Sequence, residues 1–483
     1  MKIAHKHENV SKINFSDLSG GINLSKNPEA IADNDLQEAE NFEYNYLNGQ
    51  LVTVPGLVSA FAASGTITSM FYFPINNTYI YTTATGIFST NLTTASSIGI
   101  LTGGEIPMYE LFNDKVMIAS GGNLQIWNGT VLTTCAIANP IASGSVVPYI
   151  LKERDGRLVV IDKAHDYLFY SGVGDETNWT FDDIDSNAKY IEVGYQDGCY
   201  ITGATFLSTD IIIHKNNDEG TKQRIFKLTN EYPDWLVTMV SETESSVNRF
   251  STVAAMNDAY FFSIGGFKSL STVTDYGAIK LADAGKKLNS YLIKNFVATD
   301  VRLYHVPLKN QIWVKKQNDY YFYIYHYATG AFTRRKLYTG QLNGVVCVNN
   351  DVYCAIGSKI LKMDDSTYSE DGTSYTSTLK LKKFTSQSDY LVLRTFMNFN
   401  VLGVGSGILT VGRYPINIVL NGVGVLIYNN TEYIYNNTDI ISQASDVKSS
   451  AWMNHRIESI EVILQVASGG LSLQNIELLV TEV

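Results

Sequence analysis

Polar turns and tight apolar runs alternate along this chain in a long repeat. Seven times between Phe71 and Met363, a turn carrying Asn or Asp leads into a short run of β-branched and aromatic residues. A Gly- or Asn-bearing turn and a second such run follow. The runs begin after Asn77 (Tyr79-Ile80-Tyr81), Asp114 (Val116-Met117-Ile118), Asp155 (Leu158-Val159-Val160-Ile161) and Asp210 (Ile211-Ile212-Ile213). They recur after Asp258 (Tyr260-Phe261-Phe262), Asn310 (Ile312-Trp313-Val314) and Asp351 (Val352-Tyr353-Cys354). Runs of this composition read as strands. Asn77 to Asp351 is 274 positions in six steps, about 46 per step. That period, built from short strands, predicts the blades of a β-propeller. The steps are uneven, 37 from Asn77 to Asp114 and 55 from Asp155 to Asp210. The blade count therefore stays open, with the arm before the first unit available to complete a blade.

The flanks have a different texture. Residues 15–56 are irregular. Asp33 or Asn34 is placed to cap a short helix over 36–42, with Asp35, Glu38 and Glu40 near its start. Asn48-Gly49 predicts a two-residue hairpin turn between 44–47 and 50–54. Within the fifth unit, Leu281, Ala284, Leu288, Tyr291 and Leu292 recur at three and four, predicting a helix over 280–294. Residues 364–374 are polar and turn-rich, marking a boundary. Beyond it, strands are expected over 376–384, 390–401, 408–411, 456–466 and 471–480. A hairpin is expected over 416–420 and 423–428, turned by Asn421-Gly422. This predicts a compact β-sandwich. The polar and aromatic stretch 429–438 reads as a protruding loop for a partner. The expected class is all-β: an irregular N-terminal arm (1–66), propeller-like blades with a helical insertion near 280–294 (67–364), and a β-sandwich-like C-terminal domain (375–483).

Charge narrows the partners. Thirty-six basic residues face 47 acidic ones, for a formal net charge of -11. Gripping nucleic acid by its phosphates needs clustered Lys and Arg. A weakly acidic wall instead lets DNA slide past. Residues 1–19 hold no apolar core of a secretory signal, and no run of 18 apolar residues suggests a membrane span. Cys135, Cys199, Cys347 and Cys354 lie in or beside apolar runs without metal-ligand spacing, and read as small hydrophobes.

Catalytic motifs are few. The chain has no Gly-rich phosphate loop, His-Glu-x-x-His, Gly-x-Ser-x-Gly or Cys-x-x-Cys. His5, His7 and Glu8 form the one local histidine cluster. No cofactor, metal or catalytic residue is therefore expected. A propeller glycosidase is the enzymatic alternative. The turn Ser171 to Trp179 compares with the Asp-box of sialidase-like propellers, but Asp175 stands four after Ser171 rather than two, and the turn occurs once. Asp182, Asp183 and Asp185 beside it read as a solvated turn. Gly121-Gly122 and Gly265-Gly266 follow apolar runs as in kelch blades, without the later aromatic spacing. No Trp-Asp strand ending of the WD type is present.

Two segments resemble a specific family. The first holds Phe15-Ser16-Asp17-Leu18-Ser19-Gly20-Gly21-Ile22-Asn23, Ile31-Ala32-Asp33-Asn34-Asp35, Ala39-Glu40-Asn41-Phe42 and Val54-Pro55-Gly56. It resembles the opening of phage tail structural proteins, with Val54 where that pattern carries Arg. The second holds Phe169-Tyr170-Ser171, Gly174-Asp175, Asn178-Trp179, Ile191-Glu192-Val193-Gly194, Asp197-Gly198 and Ile201-Thr202-Gly203-Ala204. It is similar to the middle of tail nozzle or hub proteins of short-tailed phages, including the packaged-DNA stabilisation proteins of P22-like phages. Together they cover about a quarter of the chain. The resemblance implies a non-enzymatic virion component, assembled in the host cytoplasm. It implies a homo-oligomeric ring, a hexamer, that meets a tail adaptor protein and a tail fibre or spike. Packaged DNA would pass through that ring without sequence-specific binding. A receptor-binding or fibre-adaptor protein of the tail is the alternative. Gly20, Gly21, Asn41, Pro55, Gly56, Ser171, Asp175 and Trp179 are the structural and interaction candidates.

Overall fold

The computed structural model describes residues 10–482 apart from positions 46, 164, 231, 273–278 and 421–445. Each of the seven repeat units forms a separate antiparallel blade. Six supply all four strands in sequence, the first from Ser69–Phe73 to Ala95–Gly99 and the sixth from Val301–Val306 to Ala331–Lys336. The Asn/Asp positions of the repeat all fall in or beside the turn between the first two strands of a blade. Several adopt the left-handed backbone that those turns require: Asn77, Asp114, Asp155 and Asn310 have φ between 49° and 54°. Asn and Asp tolerate that region better than other side chains, so the turn chemistry sets the repeat.

First strands of neighbouring blades touch around a ring. Ser69 bonds the Tyr109 hydroxyl at 2.8 Å, Lys152 pairs with Glu110 at 2.8 Å, and the Thr252 hydroxyl donates to Ala204 O at 3.1 Å. Asn343 of the seventh blade donates to Ile67 O beside the first, at 2.8 Å, closing the circle. Apolar layers fill the spaces between blades. Trp313 and Phe322 of blade 6 pack with Val352 and Leu361 of blade 7, and Phe73 and Ile80 of blade 1 with Val116 and Trp127 of blade 2.

The seventh blade has only three strands of its own, Leu342–Val348, Asp351–Ile356 and Lys359–Asp364. Its fourth is Gly56–Ala62, which runs antiparallel to Lys359–Asp364 from Asp364↔Gly56 to Lys359↔Ala62. The N-terminal arm thus completes the ring.

Two helix expectations are corrected. Residues 36–42 do not coil: Asp35–Glu40 is a strand, parallel to Gly21–Ile22 and antiparallel to Ser377–Leu381. Asp33 and Asn34 therefore cap no helix, and Asp35 lies within the strand. It is buried, and it accepts hydrogen bonds from Asn23 at 2.6 Å and Lys287 at 2.7 Å. In the fifth blade Ile279–Ala282 is the outer strand, paired with Gly266–Thr272. The helix is confined to Asn289–Asn295. In both places pairing along an open strand edge overrides a helical spacing of apolar residues. The hairpin at Asn48-Gly49 forms between Phe42–Tyr44 and Leu51–Thr53, with a wider loop than the two-residue turn expected. Asn45 N–H donates to Gln50 O and Gly49 N–H to Asn45 O across it.

The C-terminal domain is β-sandwich-like and antiparallel. Its central strand, Phe384–Val411, runs unbroken where two strands and a gap were expected. Val462–Glu482 pairs with one of its edges; Asp446–Ile460 and Tyr414–Leu420 share the other. The inward side carries Val392, Met397, Phe399, Leu409, Val411 and Ile476, in one core with Phe15, Leu36 and Phe42 of the arm. The second strand of the hairpin expected at 423–428, the loop 429–438 and the cluster His5, His7 and Glu8 lie outside the described residues.

If Gly56–Ala62 closes the ring, its two faces must differ in energetic weight. Leu57 is buried and Val58 is exposed. Leu57→Ala is expected to cost roughly 2–5 kcal/mol in urea unfolding, and Val58→Ala to stay within about 0.5 kcal/mol. Equal effects would remove the strand from the blade.

Candidate functional site

Five of the eight sequence candidates meet where the arm crosses the outer strand of blade 6 and enters the C-terminal domain. Gly21 has φ +69°, and a Cβ there would lie 2.6 Å from Phe332 N on the outer strand of that blade. Gly20 N–H donates to Asn34 O at 3.0 Å, so the Gly-Gly step lets the arm lie flat on the blade. Gly56 N–H donates to Thr367 O at 2.6 Å, and a Cβ at Gly56 would lie 2.2 Å from the Thr367 hydroxyl. Pro55 O accepts from Arg335 at 3.0 Å.

Asn41 joins three elements. It is buried, and its backbone is left-handed at φ 57°. Its N–H donates to Arg334 O at 2.7 Å, and its side-chain oxygen accepts from Lys336 N at 2.9 Å, both on blade 6. Its side-chain nitrogen donates to Thr376 O at 2.8 Å, at the entry to the C-terminal domain. Its carbonyl accepts from Val54 N at 3.0 Å. A residue in this place must tolerate positive φ while offering one donor and one acceptor, which Asn does.

Charged pairs flank this joint. Glu43 is fully buried and accepts from Lys309 at 2.6 Å and Gln311 at 3.1 Å, both at the first turn of blade 6. Burial alone would raise its pKa; Lys309 outweighs burial and holds the carboxyl below its ordinary value. His326 lies within 5.0 Å of the Tyr44 ring, edge to face, and shares a hydrogen bond with Thr333 at 3.0 Å. Burial pushes its pKa from 6.5 down to about 4, with Glu43 opposing. Arg334 bridges Glu38 at 2.7 Å and Glu40, and stacks over Tyr321. Beside it opens a cavity of about 370 Å³ with a mixed lining that includes Ile22, Leu24, Gln37, Tyr323, Arg334 and Lys380.

Ser171, Asp175 and Trp179 sit elsewhere, in the turn that follows the third strand of blade 3. The Ser171 hydroxyl is buried and accepts from Leu158 N at 2.9 Å. Asp175 accepts from the N–H and hydroxyl of Thr177, at 2.9 and 2.7 Å, a local turn bond that lowers its pKa. Trp179 donates to Glu176 O at 2.9 Å and packs with Met117 and Phe169 between blades 2 and 3. Glu176, which sequence reasoning missed, makes the contact to blade 2. Its buried carboxylate takes Lys115 and, at 2.9 Å, Asn113. The charge match between Glu176 and the Asn113-Asp114-Lys115 turn was the available signal.

A third feature was also missed. In the loop between blades 4 and 5, Arg249 is buried and reaches to Tyr149 O and Ile106 O, both at 2.6 Å, at the starts of blades 3 and 2. It thus ties the loop between blades 4 and 5 to the starts of the first strands of blades 3 and 2. Among the described residues no group of three His, Cys, Asp or Glu side chains is placed to hold a metal ion. The Cys354 thiol is pushed up to about 12 by burial, which suppresses its reactivity.

These elements define a seven-bladed β-propeller joined through its N-terminal arm to a β-sandwich-like domain. No family model and no curated protein sequence matches the chain. Solved structures resemble it at low identity. The extracellular domain of BT4673 from B. thetaiotaomicron, described as a one-component system, is 9% identical with TM-score 0.47. That match covers 89% of this chain and 63% of that one, so the chain spans less than two thirds of that domain. The RRP9 WD40 repeats are 9% identical with TM-score 0.38, covering 65% of this chain and 99% of that one. The Cps50 (Swd1) β-propeller domain from Myceliophteria thermophila is 8% identical with TM-score 0.39, covering 62% and 96%.

Asn41→Ala removes two side-chain hydrogen bonds and places a Cβ-bearing residue without local compensation at positive φ. A loss of roughly 2–4 kcal/mol is expected in urea unfolding. Faster amide exchange at Lys336 is expected with it.

The buried histidines set an acid limit. His326 (folded pKa about 4) and His214 (about 3, from burial) stay neutral where the unfolded chain has taken up protons. Their contribution is complete above the ordinary value of 6.5 and is lost as pH falls from there toward 4. The slope is at most about 1.4 kcal/mol per pH unit for each group. Urea unfolding at pH 7, 6 and 5 should show the decline, and His326→Gln should lessen it.

Proposed function

We propose that this chain is a structural subunit of a phage tail, the nozzle or hub of a short-tailed phage, working as an oligomeric ring that extends the DNA channel. The carrying observation is where the family-like residues fall. Gly20, Gly21, Asn41, Pro55 and Gly56, drawn from the segment that resembles phage tail proteins, are the residues that seat the arm between propeller and C-terminal domain. The second family-like segment, around Ser171 to Trp179, keys blade 3 to blade 2. A ring subunit under the pressure of packaged DNA needs domains that do not hinge, and these residues supply that stiffness.

In this reading the duplex passes between subunits of the ring, not through a propeller, since the central channel of one propeller is far narrower than a duplex. The formal charge of -11 suits a wall past which DNA moves without being held. The tail adaptor and the fibre or spike are the expected neighbours, and a hexamer is the expected ring.

The test is analytical ultracentrifugation of the purified chain, alone and with a candidate tail adaptor, together with antibody labelling of intact virions viewed by negative stain. Rings, or rings formed on the adaptor, and label at the tail tip are expected. A chain that stays monomeric under both conditions and labels no virion overturns the proposal. Label on fibres instead would mark a fibre-adaptor.

A further inference from the structure

One aromatic ring in the loop between blades 4 and 5 collects two arginines. The guanidinium carbons of Arg249 and Arg302 lie 4.9 and 5.2 Å from the centre of Phe250, which bounds their separation at about 10 Å. Arg249 is fully engaged. Besides its two carbonyls it meets Glu105 at 3.2 Å, and its guanidinium stacks on Tyr149. Glu105 also pairs with Lys163, so one carboxylate serves two cations.

Arg302 is different. Only 8% of the residue is exposed, yet among the described residues it makes no ion pair, and no carbonyl or carboxylate takes a hydrogen bond from it. Its neighbours are the Phe250 ring, the Tyr304 phenol and Lys315, its direct cross-strand partner on blade 6. Lys315 is itself buried and donates to the backbone carbonyls of Lys316 and Asp319. The Asp319 carboxylate accepts from Tyr321 N at 3.2 Å. A guanidinium does not shed its charge by deprotonation, and the neutral Tyr304 phenol beside it serves only part of its five donors. Its forked donors match the oxygens of a carboxylate or phosphate in pairs.

We infer that Arg302, reinforced by the charge of Arg249, anchors a small-oxyanion site at the start of blade 6 beside Phe250, taking the carboxylate or phosphate group of a small ligand. Phe250 forms the apolar wall shared by both guanidiniums, and Tyr304 lies beside the anchor. The site depends on the propeller alone and stands whether or not the chain belongs to a tail.

The test uses the full chain in low-salt buffer free of other oxyanions. Inorganic phosphate and malonate are titrated separately by calorimetry, with melting temperature followed in parallel. One equivalent of at least one probe is expected to bind and to raise the melting temperature. Phosphate alone would identify the phosphate class, malonate alone the carboxylate class. Arg302→Gln should weaken binding about ten-fold or more, and Arg302→Lys should fall between, because an ammonium is a point charge without the fork. Failure of both probes to bind the wild type overturns the inference, as does unchanged binding to a folded Arg302→Gln. If that variant does not fold, wild-type crystals soaked in selenate decide: a scatterer within hydrogen-bond distance of Arg302 supports the site, and selenate found only elsewhere overturns it.

Discussion

The pairing of Gly56–Ala62 with Lys359–Asp364 governs the rest of the structure. It joins segments about 300 positions apart. Loop-closure entropy grows only with the logarithm of length, so this costs about 2 kcal/mol more than closing a 40-residue loop. Burying Leu57 and Leu361 in the layer between blades 6 and 7 outweighs that difference. Closure then dictates the path of the arm. With Gly56 fixed on the edge of blade 7, the preceding residues run past the outer strand of blade 6. There they meet the chain again as it leaves the ring toward the C-terminal domain. The arm thus fills the space between two bodies that would otherwise share only a linker.

The joint this creates has an apolar core, in which Leu36 and Phe42 of the arm pack with Phe332 of blade 6 and Leu379 of the C-terminal domain, and polar ties laid across it. Asn41, Glu43, Asp35 and Arg334 all satisfy backbone or charged partners across it. Replacing such groups by apolar ones need not lose stability, but one orientation would then compete with many. Each bond here has a defined direction. Asn41 alone ties Lys336 to Thr376, so rotating the C-terminal domain away from blade 6 would strand a buried donor and acceptor. Glu43 and His326 add a dependence on acidity, since the carboxylate must stay charged and the imidazole neutral for the joint to hold.

The repeat was legible because its strongest signal is local. Asn77, Asp114, Asp155 and Asn310 mark turns that demand a left-handed backbone, and each is followed by a fully buried strand. Outer strands were harder to read. Ala95–Gly99 and Leu236–Ser241 are largely exposed and carry little apolar pattern, and Ile279–Ala282 begins a stretch that also fits a helix. At Asp35–Glu40 strand is separated from helix by a free edge on Ser377–Leu381, which no local window contains; at 279–282 the edge is the preceding strand Gly266–Thr272, and the apolar spacing alone did not show that pairing. The site followed the same rule. Gly20, Gly21, Asn41 and Gly56 were named through the family resemblance, and the structure shows the backbone demands that Gly21 and Asn41 meet there. Glu176, Arg249 and Arg302 did not stand out, because their roles depend on partners in other blades.

Arg249 and Arg302 also bear on what the propeller contributes to any larger assembly. Arg249, buried and bonded to the starts of blades 2 and 3, ties the loop between blades 4 and 5 to them. The bore of a single propeller is too narrow for a nucleic-acid duplex in any case. On the proposed reading the passage for DNA must be built by several subunits, each presenting a blade edge or its C-terminal domain to the lumen. The stiffness of that wall then rests on the joint at Asn41, whereas Arg249 and Arg302 stay buried inside each propeller. Buried arginines thus sit within a chain whose balance is acidic. On the proposed reading, such a subunit leaves a polyanion free to move past its surface.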